Sequence, residues 1–379
     1  MTTQMTVNDL TCTLNMPGAV PVKTDEQGNE IPQVLPPYKK MAAHVVDEYP
    51  ACPADWMHGS DQASSYFIGV ESGKGMWLDF NGCCNHTHDV AIVISVQGVN
   101  PISGRKLKNN KLRLEQYRKK CPKHDCDFQQ DRFCPECGFK WPAQNYLTTT
   151  VTPRGLLWLD GFRSGDGHVR QYIFSEEEIK SVAAQVLKQE GDNPDDRVFA
   201  IGVAFYLSQK AKAKPVGQEP GERKFYAASI LPDKHHLAER GMYFSEKKRS
   251  GPMGSGFSNS AIRGDGSISD SNCFAGPDTD MTNTLGEESS STGAFAEISI
   301  GSSEVEEVQI ETNLEVGQGA EIDQRVYVDN KNLDYYASAP AGLIYINYAT
   351  QEDVAKILEA GKRPEKQGGF LENMERAHG

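Results

Sequence analysis

No stretch of this chain is apolar for long enough to span a bilayer, and its opening, MTTQMTVNDLTCTLN, alternates polar and apolar residues where a secretory leader has an apolar run. The expectation is a soluble protein of the cytoplasm with no membrane partner. Also missing are a phosphate-binding glycine loop, a dinucleotide fingerprint and a Gly-x-Ser-x-Gly elbow, so the common nucleotide and serine-hydrolase signatures are excluded. Arg263-Gly264-Asp265 is present but too short to signify adhesion. Basic residues are absent from Gly264 to Gln324, where Asp265, Asp270, Asp278, Asp280, Glu287, Glu288, Glu304, Glu306 and Glu307 accumulate. With 39 basic and 52 acidic side chains the net charge is −13, which argues against a protein that coats nucleic acid over its whole surface.

Helical periodicity is scarce too. Ser175-Glu176-Glu177-Glu178 reads as a capping box with Ser175 as N-cap, followed by Ile179, Val182, Ala183, Val186 and Leu187 on one face. Thr350-Gln351-Glu352-Asp353 opens a second helix, with Val354, Ile357 and Leu358 inward and Gly361 as the stop.

What is there is mostly strand. Thr6 to Leu14, Tyr66 to Val70, Gly75 to Phe80, Asp89 to Val96, Leu156 to Asp160, Val169 to Phe174, Val198 to Leu207, Lys224 to Ile230 and Leu343 to Tyr348 are β-branched or aromatic runs. They follow one another with few helices between, which predicts an antiparallel arrangement. The fold class expected is mainly β, a sandwich or barrel-like body with two short helices packed on sheets and an inserted zinc knuckle, with α+β as the alternative. Trp77-Leu78-Asp79 is echoed by Trp158-Leu159-Asp160, too short a match to establish duplication.

At 379 residues the chain has room for two or three units. Composition divides it into a Pro-rich N-terminal arm over 1–64, a β-rich core over 65–249 with the knuckle inserted at 105–145, a Gly/Ser/Asp-rich acidic segment over 250–303, and a small β/α unit over 304–379.

The most informative stretch is Cys121 to Trp141, CPKHDCDFQQDRFCPECGFKW, which holds four of the nine cysteines. Cys134-Pro135-Glu136-Cys137-Gly138 is a turn in which two sulfurs converge and Gly supplies the positive-φ position after the second ligand. Cys121-Pro122-Lys123-His124 repeats that frame with histidine as its second ligand, so Cys121, His124, Cys134 and Cys137 form the expected metal set, with Cys126 competing for the place of His124. Thiolate-rich closed sets favour zinc, with iron the alternative because rubredoxin sites use similar turns. A set of four protein ligands leaves no open position, so the expected role is structural. Thiolates of this kind also fit a reducing compartment.

A second cluster, Asp79, Cys83, Cys84, His86, His88 and Asp89, has the His-x-His pattern of some metal hydrolases. It departs from the metallo-β-lactamase pattern, because Val90, Ala91 and Ile92 stand where further Asp and His belong. Ahead of the knuckle, Arg105, Lys106, Lys108, Lys111, Arg113, Arg118, Lys119 and Lys120 make a basic run, with Tyr117, Phe128, Phe133 and Trp141 available to stack on bases. Three functions are therefore weighed. The leading one is a structural or assembly protein that forms homo-oligomers or larger assemblies through complementary charge blocks. The others are a metal-dependent hydrolase built on His86 and His88, and a nucleic-acid-binding knuckle protein.

Overall fold

Strict alternation along the strand-forming runs puts one set of apolar side chains on each face, and this is what builds the architecture. In a computed structural model describing residues 2–36, 38–57, 62–165, 167–212, 306–310 and 313–363, two eight-stranded sheets face each other. The described residues belong to one unit, assembled from chain on both sides of residues 243–304. The strand expected over Lys224 to Ile230 and the segment 250–303 lie outside the described residues.

The first sheet runs β1 (Met5–Val7), β2 (Leu10–Pro17), β6 (Gly75–Asp79), β13 (His168–Ser175), β12 (Gly161–Gly165). Three more strands join it: β3 (Tyr38–Lys40) on β2, β11 (Trp158–Leu159) on β6 and β15 (Glu315–Asp323) on β13. The second runs β4 (His44–Val45), β5 (Ala63–Val70), β16 (Gly342–Thr350), β14 (Ala200–Ala211), β7 (His88–Val96), β8 (Val99–Asn100), β9 (Arg105–Lys106), with β10 (Tyr146–Thr148) also on β7. Among the described pairs of strands, only β16 with β5 is parallel.

Leu10, Cys12 and Leu14 of β2, Met76 and Leu78 of β6, and Tyr172 and Phe174 of β13 meet Ile92 and Ile94 of β7, Ile201, Val203 and Phe205 of β14, and Ile344 and Ile346 of β16 in one core. Each large side chain buried there contributes about 1.5–3 kcal/mol relative to exposure. The mainly β sandwich expected from the sequence is therefore the observed fold.

The N-terminal stretch read as an arm is in part structural: β1 and β2 lie in the first sheet, joined through Asn8 and Asp9, both at positive φ (47° and 62°) as a tight two-residue hairpin requires. Likewise β15 and β16, from the C-terminal stretch read as a separate unit, pair with β13 and with β5 and β14. Apolar alternation in these outlying segments is satisfied only by the central ones, which is why composition alone divided what packing joins. The Trp-Leu-Asp echo is a contact: β11 pairs with β6, Trp158 opposite Asp79, and the Trp77 and Trp158 rings meet edge to face at 5.8 Å.

Both helices exist, one of them displaced from its expected start. α2 (Gln351–Glu359) is capped as expected, Thr350 Oγ1 accepting from the Asp353 N–H at 3.1 Å, with Gly361 beyond its end at φ +87°. Val354 and Ile357 pack it on Phe67 of β5. α1 (Val182–Glu190) starts later than expected: Ser181 Oγ accepts from Ala184 N–H at 3.2 Å and is the true cap. Ser175 is the last residue of β13 and Ile179 is 81% exposed, so neither belongs to the helix.

Candidate metal centre

Residues 107–145 connect β9 to β10, and the knuckle lies within them. Its two halves are built alike. In the first, Cys121 N–H donates to Cys126 O at 2.9 Å and Asp125 N–H to Cys121 O at 2.8 Å; in the second, Cys134 N–H donates to Phe139 O and Gly138 N–H to Cys134 O, both at 3.0 Å. Both turns need a left-handed residue at the same place, and Gly138 (φ 63°) and Asp125 (φ 52°) supply it. Matching the halves in this way puts Cys126 in the position of Phe139, one past the turn, and His124 in the position of Cys137.

The ligand atoms of Cys121, His124, Cys134 and Cys137 all lie within 4.8 Å of one another, an arrangement able to hold a metal ion. His124 Nδ1 is 3.8 Å from Cys121 Sγ and 3.5 Å from Cys134 Sγ. A tetrahedral ion bonded at about 2.3 Å to sulfur and 2.05 Å to nitrogen separates such ligands by roughly 3.5–3.8 Å, so the residues fit. Cys126 Sγ is 3.5 Å from Cys134 Sγ but falls outside the convergent set.

Burial opposes ionisation of Cys134, but hydrogen bonds from the Cys137 backbone N–H, His124 and neighbouring thiols outweigh it and bring the thiol down to about 6. Burial, with the hydrogen bond to Cys134 and its charge, pushes Cys126 up to about 11. Cys137 is likewise raised, chiefly by burial. Cys134 Sγ also accepts from the Cys137 N–H at 3.4 Å. The eight cysteines among the described residues are all free thiols.

Cys121 and Cys134 are fully buried with Tyr117 and Trp141, and these four make a small core apart from that of the sandwich. The Tyr117 and Trp141 rings meet at 5.4 Å. Both aromatics were candidates for base stacking, and their burial removes them from that role; Phe133 (40% exposed) remains, joined by Phe139 (43%), which the sequence reading passed over. Of the basic run, Arg105 pairs with Glu115, Lys106 with Asp192 and Lys120 with Asp125, and Arg118 donates to the carbonyls of Asp329 and Lys331. Lys108, Lys111, Arg113 and Lys119 are exposed and make no ion pair among the described residues.

The matching left-handed positions give a test. Gly138→Ala forces an L side chain into that region and should cost the knuckle about 1–2 kcal/mol, whereas Asp125→Gly should be neutral or stabilising by up to about 1 kcal/mol. Metal affinity by competition with a chromophoric chelator reads both; equal effects of the two substitutions would refute the matched-turn account.

The His86/His88 cluster does not converge. His86 Nδ1 accepts from the His88 backbone N–H at 3.1 Å, His88 Nδ1 lies 3.1 Å from Thr87 Oγ1, and the two rings are 5.7 Å apart. Asp89 is held by Tyr335 OH at 2.7 Å and Lys212 Nζ at 3.5 Å, and Asp79 Oδ1 by the backbone and side chain of Asn81. Buried Cys83 faces Thr11 O at 3.4 Å. Among the described residues the knuckle is the one group of this kind able to hold a metal.

Burial holds His86 below the usual histidine range, helped by the charges of His88 and Lys212; burial, with Lys362, does the same for His44, which stacks on Phe67 at 5.1 Å. In each the fold disfavours the charged form. Their contribution to stability is fully present above the unfolded value of about 6.5 and is lost as pH falls through the lowered folded value. Urea midpoints should therefore drop between neutral pH and about pH 5.5, and less steeply in a His44→Gln/His86→Gln variant. An unchanged slope in that variant would refute this assignment. In the same variant series, His86→Gln/His88→Gln should change stability by no more than about 1–3 kcal/mol.

The chain was compared with family models, with curated proteins and with solved structures, and none of the three comparisons gave a match. No described helix is long and apolar enough to cross a membrane.

Proposed function

We propose that this is a structural or assembly protein that self-associates, its knuckle held by a structural zinc ion on Cys121, His124, Cys134 and Cys137. The observation that carries this reading is the set of exposed cations Lys108, Lys111, Arg113 and Lys119 on the approach to the knuckle, which make no ion pair among the described residues, in a chain whose residues 264–324 contain no basic side chain. Opposite charges on one molecule at different places make a heterologous contact between copies, and such contacts close into rings or propagate. The closed ligand set supports a staple in place of a reaction centre, because all four positions of the ion are taken by protein. Sulfur and imidazole at tetrahedral spacing suit zinc.

The test is native mass by light scattering at low and high salt, with metal analysis on the same sample. Assembly predicts a mass of several chains that falls with salt, and falls at low salt in a Lys108→Glu/Lys111→Glu/Lys119→Glu variant. A monomer under all conditions overturns it. Removing the N-terminus is not a usable control, since β1 and β2 are sheet strands. A second reading, nucleic-acid binding, is favoured by exposed Phe133 and Phe139 in the same 107–145 connection as those cations. It predicts salt-dependent binding of single-stranded RNA or DNA that the charge-reversal variant abolishes.

A further inference from the structure

The knuckle holds one more sulfur than a four-ligand ion uses. Cys121, His124, Cys134 and Cys137 converge, and Cys126 stands beside them with its Sγ 3.5 Å from Cys134 Sγ. The turn does not require a thiol there. The matched position in the second half is Phe139, so the frame accepts a side chain of quite different size and chemistry. Cys126 enters that frame through its backbone, its carbonyl oxygen accepting from the Cys121 N–H at 2.9 Å.

A spare thiol in contact with a ligand sulfur has a chemistry open to it that the ligands lack. Closing 3.5 Å to the roughly 2.05 Å of a sulfur–sulfur bond takes about 1.5 Å of movement, shared between two side chains. Cys121 and Cys137 are also near Cys134, but each belongs to the convergent set, and a bond between two ligands strips the ion of both. Joining Cys126 to Cys134 removes only one. It also ties the first half of the knuckle to the second, since the two residues belong to different turns. Cys134 is fully buried, whereas Cys126 is half-buried and His124 exposed, so solvent reaches the pair from their side.

We propose that Cys126 and Cys134 are a redox pair that hydrogen peroxide joins in a disulfide, releasing the zinc of the knuckle. The Cys134 thiolate attacks one peroxide oxygen; the O–O bond breaks, the sulfur is oxidised to a sulfenic acid, and the other oxygen leaves as hydroxide. The Cys126 sulfur then attacks the Cys134 sulfur. The S–S bond forms, the S–O bond breaks, and the hydroxyl departs as water with the Cys126 proton. A thiolate, a thiol and a peroxide thus give a disulfide, a water and a hydroxide. Cys121, His124 and Cys137 remain, an incomplete set that holds the ion more weakly than the closed one. A dithiol reductant restores both thiols, which suits a reducing compartment where disulfides are transient. This inference rests on the zinc reading and not on self-association.

The test treats the reduced, zinc-loaded full chain with hydrogen peroxide, follows zinc with a chromophoric chelator, and maps disulfides by mass spectrometry of peptides with blocked thiols. The expected result is release of zinc in step with a Cys126–Cys134 link, both reversed by dithiothreitol with added zinc. Cys126→Ser should bind zinc as the parent does. Under peroxide it should lose the reversibility: with no resolving thiol, Cys134 goes on to the sulfinic acid, which dithiothreitol does not restore. A link between Cys134 and Cys137 or Cys121 instead overturns the proposal, as does a Cys126→Ser variant that releases and recovers zinc like the parent. Loss of zinc from reduced Cys126→Ser, with zinc retained in His124→Ala, makes Cys126 a ligand and also overturns it. Protein that holds no zinc when purified reduced refutes the zinc reading; the map decides the pair in that case too, a Cys126–Cys134 link upholding it and any other link overturning it.

Discussion

Stripping the metal from the knuckle is expected to unfold residues 117–141 and to leave the two sheets standing. The knuckle core consists of Tyr117, Cys121, Cys134 and Trp141 at its centre, with Cys126, Phe128 and Cys137 packed around it, far too little apolar surface to order a loop of this length alone. Binding of a structural zinc is worth about 10–16 kcal/mol in comparable small sites, and that binding energy is the folding energy of the segment. The sandwich core, by contrast, draws on none of these side chains. Hydrogen exchange with and without chelator reads the difference directly: amides of Cys121, Asp125, Cys134 and Gly138, protected by the two matched turns, should lose protection while β7 and β14 keep theirs. Cys121→Ser and Cys134→Ser should each reproduce the chelated state. Full protection in metal-free protein would show that the knuckle folds without its ion.

A Glu315→Gln substitution is expected to destabilise the sandwich by about 3–5 kcal/mol, the cost of leaving a buried partner charge uncompensated. Glu315 is 3% exposed and Arg197 8%, and Oε1 accepts from Arg197 Nε at 2.9 Å and from Nη2 at 2.7 Å. Burial works against the Arg197 charge, and the hydrogen bonds and charge of Glu315 more than offset it. The remaining partners, Glu178 at 3.2 Å and Asp195 at 3.7 Å, are 64% and 82% exposed and too well hydrated to take over. Gln97 Nε2 also donates to Glu315 Oε2 at 3.1 Å, so the carboxylate ties β15 to the β7–β8 turn. Urea unfolding followed by far-UV circular dichroism measures the loss. An Arg197→Met/Glu315→Leu double variant should recover most of it, since a pair removed together leaves no orphan charge; a single variant within about 1 kcal/mol of the parent would refute the account.

The sheets were legible because Ile92 and Ile94, or Ile201 and Val203, alternate with the residues of the opposite face in a way that one local window reveals. The knuckle was legible for a related reason: all four ligands fall within one short stretch, and the repeat of Cys-Pro-x-ligand carries the geometry with it. Even Asp125 was readable in principle, since Asp tolerates the left-handed turn that Gly138 adopts. The start of α1 was not. Ser175 and Ser181 both have the chemistry of a cap, and what decides between them is the pairing of Ser175 with Glu315 across β13 and β15, a contact no local pattern contains.

The parallel pairing of β16 with β5 sets an order on the birth of the molecule. Leu343 lies opposite Ala63, 280 positions earlier (343 − 63), and β16 separates β5 from β14, so the second sheet stays split until β16 emerges from the ribosome. At roughly 5–20 residues per second that wait is about 14–56 s. Throughout it β5 presents an unpaired edge, and from about its midpoint, once Ala200–Ala211 is made, β14 does too, the condition under which strands join wrongly. Growth of the chain therefore makes β16 a keystone, and whatever shields those two edges in the cell acts before the protein has any activity to protect.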